Sequence, residues 1–422
     1  MFRGSLLIAT IAALALMVTG AQAAPGNLDS AWGSGGVVFT NFGGSDDTAY
    51  GATVQSNGNV IAAGTQEGST DNIALARYQS KNGALDGTCG GKGKVTASFN
   101  STSNETARGV VTRPAGDGGQ IDVAGWTDAS GVDDDFAVMQ FKSSCKPDSN
   151  WNGSGMSRTD FGGVDHGRAL AVRSDGKLIV VGVTDVNDAG DTAIARYLKN
   201  GKLDTGFQTG GMVTYDQSDG GNYDDAVAVL IQPDNKIVTV GSTQGAANFD
   251  CVISRFNADG SPDLGFGSGS NGQEIVDFGD QDACFAEAFY GGDIIIAGQS
   301  GLTGDVALAR ISGLDGSVVW QNTYDFGGGE QINGVAVHNG FIVAAGAEDN
   351  SGTPDDFLIA RWDGDGNQDL TFGGGTGFVQ TDLGGDEGAR ALVIKNNKAI
   401  AAGNSDAKGT DDFAVLRYTL GS

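Results

Sequence analysis

A pattern of roughly 57 residues occurs seven times along this chain, and it limits the possible folds more than any other feature of the sequence. Each copy contains a glycine that closes a short apolar segment, at Gly64, Gly125, Gly182, Gly241, Gly298, Gly346 and Gly403. Most copies continue with an acidic residue or Asn, a run of apolar residues, an Arg and an aromatic residue, as in DTAIARY at 191–197. Repeats of this length that contain several strands are typical of β-propellers and related arrays.

Each copy predicts four short strands. In the third copy, apolar and β-branched residues predict strands at 169–173, 177–181, 191–197 and 212–215. The Asp-Gly pair between the first two strands is typical of a tight hairpin. Second strands such as 294–297 are uninterrupted apolar runs, which indicates burial between neighbouring blades. The sequence therefore predicts an all-β fold, a seven-bladed β-propeller with four antiparallel strands per blade.

The two ends of the chain predict how the ring closes. The last copy ends after its third strand, at Tyr418, whereas residues 36–42 supply a fourth strand without the preceding three. We predict that segment 37–42 pairs with segment 412–418, because an N-terminal strand that completes the last blade removes a free sheet edge. A linear β-solenoid is the alternative, but its ends would need caps. The predicted domain is a single propeller over residues 24–422.

Residues 1–23 have the features of a secretory signal peptide. Arg3 precedes an apolar stretch at 6–18, and the small residues of Ala21-Gln22-Ala23 fit a signal-peptidase site. We therefore predict a secreted or periplasmic protein whose mature chain begins near Ala24. No later stretch is long and apolar enough to span a bilayer, so we predict no membrane insertion.

The composition narrows the classes of partner. The chain has 52 acidic and 25 basic residues, which gives a formal net charge of −27. Such a charge repels nucleic acids and anionic membranes, and it argues against both as partners. Glycine accounts for 71 of the 422 residues, which suits a fold with many tight turns. We expect a monomer whose partner is a protein or a glycan.

The chain has four cysteines, and none of them belongs to a C-x-x-C pair. In an exported protein the expected state of such cysteines is the disulfide. From their positions in neighbouring repeats we predict that Cys89 pairs with Cys145 and that Cys251 pairs with Cys284.

Three segments that recur in order resemble the bacterial delta-60 repeat. They are the loop at 201–207, the hairpin at 174–182 and the third strand at 193–197, and comparable segments cover essentially the whole predicted mature chain. The resemblance implies a β-propeller of a family of unknown function that is found in exported and cell-surface proteins. It supplies no catalytic residues to carry over, since a fold does not by itself imply a function.

Two kinds of repeated or unusual side chain are candidates for binding. The repeated arginines, such as Arg196, Arg255 and Arg361, would form a ring of cations for an anionic ligand, or would each pair with a repeated aspartate of the loop that follows. The regular spacing favours the structural interpretation. Trp126 follows its strand-closing glycine where other repeats have Thr65, Val183, Ser242 or Ala347, so it is a candidate ligand contact.

Acidic residues precede the first strand of every repeat. If that strand lines the channel, they form a ring at its mouth, made of Asp47, Glu105, Asp165, Asp225, Asp282, Glu330 and Asp386. In three repeats the position holds two adjacent acids, at 46–47, 224–225 and 386–387. Hard cations such as Ca²⁺ prefer carboxylate oxygens of this kind. The alternative is that each acid caps the turn into its strand by accepting hydrogen bonds from backbone amides.

A second acidic stretch has oxygen-bearing side chains at alternating positions, as calcium-binding loops do. It consists of Asp363, Asp365, Asn367 and Asp369, but Gly374 stands where an EF-hand loop has its final Glu, and the flanking segments are predicted strands. Ca²⁺ is therefore the one cofactor that the sequence suggests.

Sequence motifs for catalysis are absent. The chain has two His, in different repeats, and it lacks a P-loop, a G-x-S-x-G and an H-E-x-x-H motif. We therefore predict a non-enzymatic binding or structural protein that recognises a protein or a surface glycan through loops on one face of the ring. The alternative is a hydrolase or lyase that uses carboxylates at the channel mouth.

Overall fold

The structure is a computed structural model, and it describes residues 24–421 except 44, 115, 117, 187–189, 218–222, 246–247, 302–303 and 350–353. The predicted signal peptide, residues 1–23, lies outside the described residues. The described chain folds into seven four-stranded antiparallel sheets, which are the blades of a β-propeller. The predicted all-β, seven-bladed fold is confirmed.

Within each blade the strands follow one another from the channel outwards, and they are numbered β1 to β28 along the chain. The innermost strands of blades 1 to 7 are β2 (Asp47–Val54), β6 (Glu105–Thr112), β10 (Asp165–Val172), β14 (Ala228–Ile231), β18 (Asp282–Tyr290), β22 (Gly329–His338) and β26 (Glu387–Lys395). The second strands are β3 (Val60–Gln66), β7 (Ile121–Thr127), β11 (Leu178–Thr184), β15 (Ile237–Gln244), β19 (Asp293–Ser300), β23 (Phe341–Asp349) and β27 (Lys398–Ser405).

The third and outermost strands complete each blade. The third strands are β4 (Asn72–Tyr78), β8 (Asp135–Phe141), β12 (Asp191–Tyr197), β16 (Phe249–Phe256), β20 (Asp305–Ile311), β24 (Asp356–Trp362) and β28 (Asp412–Thr419). The outermost strands of blades 1 to 7 are β5 (Lys94–Ala97), β9 (Met156–Thr159), β13 (Met212–Tyr215), β17 (Gln273–Val276), β21 (Val318–Tyr324), β25 (Phe378–Thr381) and β1 (Val37–Thr40). One short 3₁₀ turn, Gly373–Gly375, precedes β25.

The N-terminal strand closes the ring by completing blade 7. β1 pairs antiparallel with β28, from Val37 opposite Leu416 to Thr40 opposite Phe413. An ion pair between Arg417 and Asp29, 2.8 Å from nitrogen to oxygen, holds the preceding loop against the same strand. The predicted closure is therefore confirmed, and the last blade has no unpaired edge where the chain ends meet.

The repeated glycines stand opposite a β-bulge in the innermost strands. A Cβ atom at Gly125 would lie 1.7 Å from the carbonyl oxygen of Thr106, and one at Gly182 would lie 1.9 Å from that of His166. The same clash recurs at 1.7–2.1 Å at the other five repeated glycines. Six innermost strands shift register at this level, because a bulge inserts one extra residue there. In six blades the glycine that marks the repeat is therefore required by the bulge that it faces, and in blade 4 Gly241 is required by the close carbonyl of Asp225.

Apolar side chains of the second and third strands fill the space between adjacent blades. Every residue of β11 and β12 is buried. One core cluster joins Ile61 and Leu75 of blade 1 to Ile121 and Val123 of blade 2. Because both faces of each blade are covered in this way, the strands have the uninterrupted apolar sequences from which burial was predicted.

Two disulfides link neighbouring blades. Cys89 bonds to Cys145 between the loops that follow β4 and β8, and Cys251 of β16 bonds to Cys284 of β18. Both predicted pairings are confirmed.

The repeated arginines join each blade to the next. Arg255 donates from Nε to Asp263 at 2.7 Å and from Nη1 to the backbone carbonyl of Gly313, in the following blade, at 2.7 Å. Its guanidinium also lies 4.3 Å from the ring centroid of Phe266. The same ion pair and carbonyl contact recur at Arg77, Arg196, Arg361 and Arg417. Arg310 makes the carbonyl contact but pairs with Asp293 of β19. These arginines have a structural role, and their charges are neutralised within the fold.

Candidate functional site

Most of the acids that the sequence placed at the channel mouth are buried and cap turns. The amide of Phe161 donates to Asp165 at 2.6 Å, and those of Phe42 and Phe278 donate to the equivalent aspartates at the same distance. The acids at the start of five innermost strands are at most 1% exposed. They are Asp47, Glu105, Asp165, Asp282 and Glu330. Burial raises the pKa of each carboxyl, to about 6 for Asp165 and about 7 for Glu330.

In blades 4 and 7 the capping acid is the neighbour of the residue that the sequence suggested. Asp224 accepts the hydrogen bond from the amide of Gln217, and Glu387 accepts the one from Leu383. Asp225 instead lines the channel mouth, and Asp386 is exposed. The capping position therefore corresponds to Asp224 and Glu387, one residue away from Asp225 in blade 4 and from Asp386 in blade 7.

The predicted calcium loop does not bring its carboxylates together. Asp363 accepts hydrogen bonds from the amides of Asp365 and Asn367, each at 2.9 Å, as in an ordinary turn. Asp369 forms an ion pair with Arg361 at 2.7 Å. Several groups of carboxylates in the described residues have oxygens within 4.8 Å of one another. The three aspartates of this loop do not form such a group.

The β-bulges place one side chain from each innermost strand around the channel. We call the end of the ring at which these strands begin the upper face. A cavity of about 330 Å³ opens there and is lined by Tyr50, Arg108, Arg168, Asp225, Val227, Phe285, Gln331, Asn333 and Arg390. Six of these are the bulge residues, and Val227 directly precedes β14 in the remaining blade. We call Tyr50, Arg108, Arg168, Val227, Phe285, Asn333 and Arg390 the channel ring.

The three arginines of the channel ring differ from the other described arginines in having no ion pair. Arg77, Arg113, Arg158, Arg173, Arg196, Arg255, Arg310, Arg361 and Arg417 each contact an aspartate. No ion pair within the described part of the chain involves Arg108, Arg168 or Arg390. Burial and the charges of the other two arginines lower the pKa of Arg108 to about 10. The channel mouth is therefore a cationic site in an acidic protein.

Aromatic side chains hold two of these arginines in place. The guanidinium of Arg108 lies 3.9 Å from the ring centroid of Tyr50 and 4.9 Å from that of Trp126. Arg168 lies 5.4 Å from the same Trp126 ring, whose other contact is the imidazole of His166, 4.3 Å away between centroids. The indole that the sequence offered as a ligand contact is thus surrounded by cationic and imidazole groups. It orients the arginines through cation–π contacts.

One carboxyl lies in the channel below the arginines. Glu287 follows the bulge residue Phe285 by two positions and lines the channel with apolar residues of the other blades, namely Ala52, Val110, Leu170, Val229, Val335 and Leu392. Both of its carboxyl oxygens are inaccessible to solvent and have no hydrogen-bond partner. This burial raises the pKa of Glu287 well above its ordinary value.

Sequence analysis did not find the channel ring. In the sequence, the channel ring corresponds to a position whose residue type changes from repeat to repeat while the two flanking residues stay small. Examples are AYG at 49–51, ARG at 107–109 and ARA at 389–391. Such variation is visible in the sequence, but the bulge that aims the residue at the channel is not.

Comparison with known proteins supports the fold and leaves the activity open. Residues 173–207 and 232–266 match the family model of a β-propeller domain of unknown function, DUF5122. A search of curated protein sequences finds no match.

Solved structures share the propeller fold at low sequence identity. One is a catalytically inactive virginiamycin B lyase from Staphylococcus aureus with quinupristin, which has a TM-score of 0.54 and 10% identity over 91% of this chain and 99% of that one. Another is the polysaccharide lyase Uly1, which has a TM-score of 0.52 and 12% identity over 88% of this chain and 90% of that one. At such identities the similarity shows the fold alone.

A search of the described residues for helices that could cross a membrane finds none.

Proposed function

We propose that this protein is a binding propeller that recognises an anionic group, carried by an acidic glycan or an acidic protein segment, at the upper mouth of its channel. The observation that carries the proposal is the set of three channel arginines, none of which forms an ion pair among the described residues. Arg168 acts on the carboxyl of Asp225 in the same cavity, and Arg390 acts on Asp355, but only at longer range. Carboxylate, sulfate and phosphate groups all accept the paired hydrogen bonds that a guanidinium donates. A bound anion would also relieve the mutual repulsion that lowers the pKa of Arg108.

Among anionic ligands, an acidic glycan fits the rest of the ring best. Tyr50 and Phe285 add aromatic surface beside the arginines, and Asn333 adds an amide that can donate to or accept from a hydroxyl. The cavity of about 330 Å³ is at the small end of ligand sites, so it suits one or two sugar units of a longer chain. Trp126 would then act on the ligand through the arginines that it orients.

The net charge of −27 does not prevent such binding. At physiological ionic strength the screening length is about 8 Å, so most surface carboxylates contribute little at the channel mouth. The arginines lie next to the ligand in a partly buried site, where electrostatic interactions are less screened. For a bound ligand, the positive charge of the channel arginines therefore outweighs the negative net charge of the whole protein.

Arrays of glycans and peptides test this proposal. We expect the protein to bind uronate-containing or sulfated glycans, or acidic peptides, and to leave neutral glycans unbound. Arg108→Gln should abolish that binding. Arg173→Gln removes the same charge from an arginine that has its own partner, Asp175, and should leave binding intact. Binding of neutral glycans alone, or equal binding by the Arg108 variant, would contradict the proposal.

A carboxylate-dependent lyase or hydrolase at the same site is the second candidate function. Glu287 lies inside the channel and Asp225 at its mouth, and burial raises the pKa of both carboxyls, which makes them candidates for proton transfer. The two similar structures described above are of lyases. Glu287→Gln separates the candidates, since an enzyme would lose turnover of a bound glycan and a binding protein would have no turnover to lose.

We also propose that the protein is exported by the segment 1–23, acts as a monomer in the periplasm or outside the cell, and has repeats of the delta-60 type. The two disulfides support an oxidising compartment. N-terminal sequencing of the protein from its native host tests the cleavage at Ala24, and sedimentation tests the oligomeric state.

A further inference from the structure

Carboxylates gather at the junctions between blades on the upper face. Each group combines the acid that begins a third strand, the acid that follows the outermost strand, and the acid that begins the next innermost strand. Within a group, carboxylate oxygens lie within 4.8 Å of one another. Two of these groups, described next, differ in how their charge is compensated.

The junction between blades 2 and 3 supplies its own cation. Arg158 of β9 contacts Asp135 at 2.5 Å, in a group that also contains Asp160 and Asp165. At the junction between blades 5 and 6, the pairing register puts Thr323 at the position of Arg158. The group there consists of Asp305, Asp325 and Glu330, and no cationic side chain takes part in it within the described residues.

A fourth carboxylate makes the junction between blades 5 and 6 unlike the others. In the sheet of blade 6, Glu330 stands directly opposite Glu348. In other blades a hydroxyl side chain stands opposite the capping acid, at Thr127, Thr184, Thr243, Ser300 and Ser405. Three of these hydroxyls, at Thr127, Thr243 and Ser405, donate a hydrogen bond to that acid. An ionised Glu348 has no proton to donate.

The two glutamates are buried, and three of their four oxygens have no hydrogen bond of normal geometry. Glu348 is fully buried and Glu330 is 1% exposed. Oε1 of Glu330 accepts from the amides of Phe326 and Gly328, whereas its Oε2 and both oxygens of Glu348 are inaccessible to solvent and lack such a partner. The side chain of Gln380 is close enough to Glu348 to oppose the rise in its pKa that burial causes. Directly opposed side chains in an antiparallel pair project to the same face of the sheet, about 5 Å apart at Cβ. Buried, unpaired carboxylates of like charge are strongly unfavourable unless a cation or a proton compensates them.

We propose that Asp305, Asp325, Glu330 and Glu348 bind a divalent cation, Ca²⁺, that joins blade 5 to blade 6. Asp305, Asp325 and Glu330 converge, and Glu348 stands beside them opposite Glu330. These carboxylates offer hard oxygens, which Ca²⁺ prefers and which softer transition metals do not require. Asp325 is exposed, so the ion can enter from the upper face. The cation takes the place that Arg158 has at the junction between blades 2 and 3. This site is separate from the channel ring and does not depend on the proposed ligand.

Calcium titration of the full mature protein tests the site. After treatment with EDTA and removal of the chelator, the wild type should bind added Ca²⁺ in calorimetry and show a rise in Tm. Glu348→Ser introduces the residue type found at the same position in blades 5 and 7, so it should fold. It should lose the calcium-dependent rise in Tm and at least tenfold in affinity.

The matched control is Asp363→Asn in the acidic loop that the sequence suggested as a calcium site. It removes one carboxylate from a group that does not converge, so calcium binding should stay as in the wild type. The proposal is overturned if the wild type binds no Ca²⁺ at millimolar concentrations. It is also overturned if Glu348→Ser keeps the wild-type calcium response, or if Asp363→Asn loses it. A higher Tm of Glu348→Ser in EDTA, without any calcium response in the wild type, would identify a protonated carboxyl pair instead.

Discussion

The arginines of the blade junctions and those of the channel mouth show two uses of the same side chain. Arg255 contacts Asp263, the carbonyl of Gly313 and the ring of Phe266, so its charge is neutralised inside the fold. Arg108 contacts two aromatic rings, its pKa is lowered by burial and by the charges of Arg168 and Arg390, and it forms no ion pair within the described structure. The comparison teaches that a position which keeps its residue in most repeats holds the ring together, as the junction arginine does in six of the seven. The position that changes from blade to blade is available for a ligand.

The largest predicted effect comes from breaking the element that aims the channel arginines. Gly125→Ala places a Cβ atom 1.7 Å from the carbonyl oxygen of Thr106, beside the bulge of Arg108. We expect a loss of about 4 kcal/mol or more in the free energy of unfolding, or failure to fold, because backbone atoms must move. Urea unfolding followed by fluorescence measures it. Gly87→Ala, where a Cβ has only one neighbour, at 3.9 Å, is the control and should change little.

The next effect concerns the structural arginines. Arg255→Ala should lower the free energy of unfolding by about 2–4 kcal/mol, because it leaves the half-buried Asp263 and two carbonyls without their donor. Chemical denaturation checks this value. A loss below about 1 kcal/mol would show that Lys236, which also contacts Asp263 at 2.9 Å, compensates for the arginine.

Glu287, inside the channel, should make the free energy of unfolding depend on pH. Its pKa in the folded protein is raised by burial, so the folded state holds a proton that the unfolded state releases above its ordinary pKa. Stability from this group is full at acidic pH and falls as pH rises above about 4.5, until the folded pKa is reached. Glu287→Gln should remove this fall, so the stability difference from wild type should grow between pH 5 and 8. Parallel pH profiles would contradict the assignment.

The smallest effect on stability should come from a channel arginine. Arg390→Gln removes an exposed side chain without an ion pair, so the free energy of unfolding should change by no more than about 0.5 kcal/mol. The same denaturation experiment as for Arg255→Ala measures it. A loss as large as that of Arg255→Ala would mean that the two classes of arginine do not differ in the way described.

The features predicted from the sequence are those that follow from the repeat pattern. The seven glycines and the four strands per blade recur in every repeat, whereas the closing strand and the two cysteine pairs follow from comparing terminal or neighbouring repeats. The acids at 224–225 and 386–387 show the limit, since the pairing register, which sets Asp224 opposite Thr243 and Glu387 opposite Ser405, decides which of two adjacent carboxylates caps the turn. Glu348 was missed for a similar reason, because its partner Glu330 is adjacent only through the sheet.

Calorimetric titration with an acidic oligosaccharide tests the central claim most directly. The protein would be titrated at physiological salt with an oligogalacturonate, a heparin oligosaccharide and a neutral malto-oligosaccharide of matched length. The account predicts that the wild type and Arg173→Gln bind at least one acidic probe and not the neutral one. It also predicts that the variant with Arg108, Arg168 and Arg390 all changed to Gln binds none. Equal binding of an acidic probe by the triple variant, or no preference of the wild type for acidic over neutral probes, would contradict it.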